Sequence, residues 1–231
     1  MAFLFTKMKV LNYSFSKLQG AIFLLSVLYF VGFLGVSIPL HEDFMLLTPF
    51  NLFFTFFISV WAAPQLDYRF WISLLIIYFS GFFIEVTGVQ SRILFGAYDY
   101  GKTLGIKVFD TPLIIGINWA MLVIGTSSFA NFLFTKFSIV FRTVVAALIM
   151  VSNDFIIEPV AVYYDFWTWE TEGIGTSFFV APLQNYIAWY VLGFLLIYFF
   201  NTYNDVKRYL ALEFLLLLQA VFFIWIYYFI M

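Results

Sequence analysis

The chain has 231 residues, 64% of them hydrophobic and 10% charged, with a mean hydropathy of +0.99 and a formal net charge of −2. A soluble domain needs more polar surface than this, so the composition specifies an integral membrane protein, and the slight negative balance argues against a nucleic-acid partner. Cysteine is absent and His41 is the single histidine, which excludes disulfides, thiolate chemistry and the multi-histidine centres of membrane iron and copper oxygenases; no metal and no cofactor is expected.

Seven apolar runs follow one another along the chain, near 18–40, 44–63, 69–89, 112–135, 137–164, 182–200 and 209–231. A bilayer-spanning helix needs about 20 mostly apolar residues. The first run has no small-residue cleavage site after it and reads as a retained helix. The runs are continuous and do not alternate in polarity, so barrel strands are a poor alternative. There is no internal repeat and no low-complexity linker. The reading is an all-α polytopic membrane helix bundle of about seven transmembrane helices, a single domain over 1–231.

Pro112 and Pro182 open helices, Pro39 and Pro64 close them, and Pro49 sits in an early turn. Pro159 lies inside the fifth run, where it frees the carbonyl of Phe155 and kinks the helix. His41, beside Glu42 and Asp43, reads as a solvated turn. Lys7, Lys9, Lys17, Arg69, Lys136, Arg142, Lys207 and Arg208 fall on one side of seven spans, and Arg92, Lys102 and Lys107 on the other. The positive-inside rule then places the N-terminus in the cytoplasm and the C-terminus outside, with the cytoplasmic membrane of a bacterium as the expected location. The connections 90–111 and 165–181 are rich in glycine and aromatic residues. They read either as an interfacial aromatic belt or as folded or re-entrant segments over a pocket.

Three carboxylates stand inside apolar runs, away from the ends: Glu85, Asp154 and Glu158. A charge inside the bilayer is costly, so such groups face the bundle interior. Asp154 and Glu158 are four residues apart and share a helix face, with Ser152 and Asn153 adding polarity beside them. Runs three and five leave the cytoplasm in the same direction, and counting at 1.5 Å per residue puts Glu85 roughly 6 Å and Glu158 roughly 9 Å below the outer boundary. The acids can therefore meet in one pocket, where two close carboxyls do not both ionise and one keeps a proton. A held proton in a dry aromatic site suits a general acid. No phosphate loop, dinucleotide motif or mid-span lysine is present. An apolar polyene fits such a pocket: protonating an alkene makes a carbocation, which aromatic faces stabilise. Structural roles for the same acids, bonding to helix ends or to Asn and Tyr, remain open, as does packing for Asn118 and Trp119.

Several stretches together resemble the CruF-type carotenoid hydratases, a family of membrane carotenoid-biosynthesis proteins. They are Glu85-Val-Thr-Gly88, Phe95-Gly96-Ala-Tyr98-Asp-Tyr100, Leu104-Gly105, Pro112-Leu113, Asn118-Trp119, Asp154 with Glu158-Pro159, Trp167-Thr-Trp169, Pro182-Leu-Gln-Asn185 with Trp189, and Leu47-Thr-Pro49-Phe-Asn-Leu52. The ordered set covers roughly 45–190. It implies a seven- or eight-helix enzyme that adds water to the terminal double bond of an acyclic ψ end group. The product is a 1-hydroxy carotenoid, made from a lycopene-like or γ-carotene-like substrate. The implied catalytic acids are Glu85, Asp154 and Glu158; Glu158 stands where the family often has Asp. Tyr98, Tyr100, Asn118, Trp119, Trp167, Trp169 and Asn185 are the implied substrate-binding residues. The partners are then a lipophilic polyene, water and the lipid bilayer. Rival readings are a carotenoid cyclase, which quenches the same cation with an internal double bond, a non-catalytic carotenoid-binding protein, and a proton-coupled carrier.

Overall fold

In lipid an apolar run of twenty residues has one economical way to satisfy its own backbone, the helix. The computed structural model describes residues 2–38, 41–64, 66–170 and 180–231, with side chains from Lys17 onward except at 41 and 42. Its elements in order are α1 (Ala2–Val36), α2 (His41–Met45), α3 (Thr48–Trp61), α4 (Tyr68–Ser91), β1 (Tyr98–Tyr100), β2 (Lys107–Val108), β3 (Thr111–Pro112), α5 (Ile114–Leu133), α6 (Ile139–Tyr163), β4 (Trp167–Trp169), α7 (Leu183–Tyr203) and α8 (Leu210–Phe229). The protein is a polytopic membrane helix bundle.

Among the described residues, six helices are long and apolar enough to cross a membrane, one fewer than the seven runs suggest. The exception is α3, whose 14 residues reach about 21 Å, short of a hydrocarbon core of about 30 Å. The run 44–63 is apolar throughout but not helical throughout. It contains the end of α2 and a turn at Leu46 and Leu47 before α3 begins. Pro49 belongs to the first turn of α3 and not to a preceding turn, because a missing N–H costs nothing there. Pro112 lies in β3, two residues before α5 starts. Helix α6 continues through Pro159. The expectations for Pro39 and for the His41 side chain fall outside the described residues.

Packing follows burial. The most enclosed span is α5, against which α3, α4, α6, α7 and α8 all pack. The outer face of the bundle carries large apolar side chains, among them Phe23, Phe30, Leu75, Phe83, Leu148, Leu195 and Leu217, as a lipid-facing surface requires. Asp67 caps α4, accepting from the Phe70 N–H at 3.1 Å and from Lys207 at 3.3 Å. Those two donors hold its carboxyl below the usual carboxylate range.

Where α5 ends and α8 begins, buried polar groups tie the helices together. Ser128 donates to Glu213 at 2.6 Å and accepts from the Tyr209 N–H at 2.7 Å. Arg208 donates to both oxygens of Glu213 and lies 3.4 Å from the Phe132 ring centre. Beside this lock, Asn201 accepts from Ser127 and Asn131 and donates to Thr143, joining α5, α6 and α7. Replacing Glu213 with alanine strands the donors of Arg208 and Ser128. It is expected to cost roughly 2 kcal/mol of stability, read as a lower melting temperature of the detergent-purified protein.

Candidate active site

Glu85 lies six residues before the end of α4, and Glu158 five before the end of α6. Both helices point their C-terminal ends the same way, so a rise of 1.5 Å per residue sets the two carboxylates at nearly equal depth, about 9 and 8 Å. Glu85, Asp154 and Glu158 are 2%, 5% and 1% exposed and line one cavity. Its other walls are largely apolar, with Leu52, Leu104, Ile115, Leu122, Ile157 and Phe223 among them.

A buried carboxylate needs donors, and here each set comes from a different part of the chain. Tyr98 and Tyr100 donate to Glu85 Oε2 at 2.6 and 2.8 Å, and Trp119 Nε1 donates to Oε1 at 3.0 Å. Trp167 and Trp169 each donate through Nε1 to Glu158 Oε2 at 3.1 Å. Asn185 Nδ2 donates to Asp154 Oδ2 at 3.0 Å. Burial pushes the Tyr98 and Tyr100 phenols well above their usual pKa, which keeps them as donors.

The tyrosines and the two loop tryptophans are delivered by a ribbon absent from the sequence reading. Strands β1 and β4 pair antiparallel, with Tyr98 opposite Trp169, Asp99 opposite Thr168 and Tyr100 opposite Trp167. Strand alternation turns the four aromatic residues to the cavity and leaves Asp99 and Thr168 exposed. The ladder bonds Gly101 N–H to Phe166 O at 3.0 Å and Glu170 N–H to Ala97 O at 2.9 Å place the aromatic pairs at non-hydrogen-bonded positions, where facing side chains come closest. Tyr98 and Trp169 ring centres are accordingly 5.0 Å apart. On the outer side Arg92 pairs with Asp99 and Glu170; these exposed pairs are screened by solvent and contribute little. The two connections thus form a cap, not separate interfacial belts, as far as residue 170; residues 171–179 lie outside the described chain.

Two glycines on the Glu85 face of α4 make the approach possible. A Cβ on Gly81 would stand 2.4 Å from the Trp119 ring, and one on Gly88 would stand 2.4 Å from the Phe95 ring and 3.2 Å from the Tyr98 hydroxyl. Gly81, Glu85 and Gly88 are spaced four and three apart, so one helix face is bare except for its acid.

The cavity wall includes Tyr98, Tyr100, Asn118, Trp167, Trp169 and Asn185, together with the three acids. Trp119 is not on the wall. Its ring lies behind Glu85, wholly buried, and stacks at 4.5 Å on Trp189, which is on the wall. Ser152 and Asn153 do not join the site; they donate to carbonyls of their own helix, Leu148 at 2.8 Å and Ile149 at 2.9 Å.

A family model described as carotenoid biosynthesis protein matches residues 47–231. The chain belongs to that family. No curated protein and no solved structure matches it. The family match extends through α8, beyond the stretch that carries the sequence resemblance. Gln219 and Phe223 of α8 indeed reach the cavity of this carotenoid-biosynthesis protein. Those two residues, Gly81 and the wall role of Trp189 were missed from sequence. Gly81 had a usable signal in its four-residue spacing from Glu85, as Trp189 had in its spacing from Asn185.

Because the chain has no native cysteine, the ribbon can be tested without background. Cysteines replacing Asp99 and Thr168 would sit on opposed outer positions with Cα atoms about 5.5 Å apart, within disulfide range. A single intrachain disulfide is expected on mild oxidation, read by peptide mass spectrometry; two independent interfacial loops would give none. Gly81→Leu is expected to displace Trp119 and lower the melting temperature by several degrees, at a cost of about 1–3 kcal/mol.

Proposed function

We propose that this protein is a carotenoid hydratase, which adds water across the terminal double bond of an acyclic ψ end group to give a tertiary 1-hydroxy carotenoid. The observation that carries the reading is the convergence of three buried carboxylates on one apolar, aromatic cavity, each already held by N–H or O–H donors. The resemblance to CruF-type hydratases and the family match support the substrate class.

One member of the Asp154–Glu158 pair delivers a proton to the less substituted carbon of the terminal alkene. The π pair forms the new C–H bond, and the positive charge appears on the neighbouring tertiary carbon. Tyr98, Tyr100, Trp167, Trp169 and Trp189 ring that space, and aromatic faces stabilise a desolvated cation by about 2 kcal/mol or more. Water attacks the cation and gives up a proton to a second carboxylate. Glu85 suits that role: both its oxygens accept from donors, the pattern a carboxylate prefers. Asn118 and Asn185 are polar groups on the wall that can orient the water. Return of the proton from Glu85 to the α6 pair completes the cycle, with one water consumed and no redox change.

The basic residues Lys17, Arg69, Lys136, Arg142, Lys207 and Arg208 gather at the end of the bundle opposite the site, with Arg92, Lys102 and Lys107 near it. The positive-inside rule places the cavity toward the outer leaflet, with the C-terminus outside.

Expression in a lycopene-producing host tests the reaction. The expected product is one water heavier than its precursor and carries heavy oxygen when cells grow in heavy-oxygen water. Unchanged mass with a new ring would make the protein a cyclase, and label from dioxygen would make it an oxygenase. Glu85→Gln, Asp154→Asn and Glu158→Gln should each lower conversion about 10²-fold or more with the protein still in the membrane; full activity in all three would move the chemistry elsewhere.

A further inference from the structure

A second cavity adjoins the acid cavity. The two share four wall residues, Thr48, Leu52, Gln219 and Phe223. The second cavity lies between α1, α2, α3 and α8, beside the N-terminus of the short helix α3. Its inner wall includes Tyr29, Asn51 and Phe222, with Gln219 at the neck shared by the two cavities. Its rim is formed by Val31, Phe50 and Phe54, all on the outer surface of the bundle at 48%, 63% and 54% exposure. In a membrane helix bundle such a rim faces acyl chains, not water.

We infer that this second cavity is the lodging and lateral access route for the apolar body of the polyene. The chain enters from the bilayer between α1 and α3, and its end group passes the neck at Leu52 and Gln219 to reach the three acids. The inference rests on the polyene reading above and adds the residues that set how long a substrate the protein accepts. Continuity with the acid cavity argues for this occupant. A lipid tail would fit the rim equally well, and the identity of the retained molecule distinguishes the two.

The test uses the full-length protein purified in mild detergent from lycopene-making cells, carrying Glu158→Gln so that bound pigment is not converted. Pigment retained per protein is read by absorbance, with its identity by mass spectrometry. Val31→Trp and Leu28→Trp, which project into the second cavity only, are expected to reduce retained polyene at least fivefold. The same substitutions on the Glu158 background should reduce conversion by a similar factor. Leu24→Trp, an exposed residue of α1 that lines neither cavity, should leave both unchanged. Val31 is itself exposed, so a monodisperse Val31→Trp protein is expected and size-exclusion chromatography checks it. Equal retention and conversion in Val31→Trp and Leu28→Trp would overturn the inference, as would a phospholipid in place of the polyene. Retention lost in both variants, with no hydroxylated product from any form, would uphold the channel and sink the hydratase reading.

Discussion

Everything in this structure depends on burying three carboxylates with their donors. An acid inside an apolar bundle is costly unless donors reach it, and a helix cannot supply them from its own backbone. The donors for Glu85 come from β1 and α5, those for Glu158 from β4, and that for Asp154 from α7. Satisfying the acids therefore fixes the mutual positions of two helices, their two neighbours and the loops between them. The same bonds that make burial tolerable also build the site.

The cap follows from strand geometry at small scale. Three residues per strand suffice, because alternation sends both tyrosines and both tryptophans inward and leaves the polar residues outside. Trp and Tyr are suited to this position. Each presents an apolar ring to the cavity and one polar hydrogen to a carboxylate. A phenylalanine in any of the four places would keep the wall and lose the donor. Arg92, in left-handed conformation at the C-cap of α4, turns the chain toward β1 and then clamps the outer face through Asp99 and Glu170. The outer ion pairs contribute little energy, so register rests on the inward contacts.

The two ends of the bundle do different work. At the basic end, polar groups bond to one another and close the helices up, through Glu213 with Arg208 and Ser128 and through Asn201 with its partners. At the other end the helices are held apart around space, and α3 stops short. One end locks; the other encloses. The proposed lateral access route needs both, since an opening to lipid must not loosen the bundle as a whole.

The sequence by itself determined the class of molecule, the location of most helices and the three acids. Long apolar runs leave few options in lipid, and a carboxylate inside such a run stands out however the chain folds. Helical depth is also readable, because the rise per residue is constant, and it brought Glu85 level with Glu158. Hydropathy failed at α3, since Phe44 to Leu47 are as apolar as the helix that follows and apolarity alone does not report where the backbone turns. It also failed at the cap. Tyr98-Asp-Tyr100 and Trp167-Thr-Trp169 are too short to register as strands, and an interfacial belt has the same composition. Their pairing, the retreat of Trp119 behind Glu85 and the second cavity were decided only by tertiary structure, because each depends on residues far apart in the chain meeting at one distance.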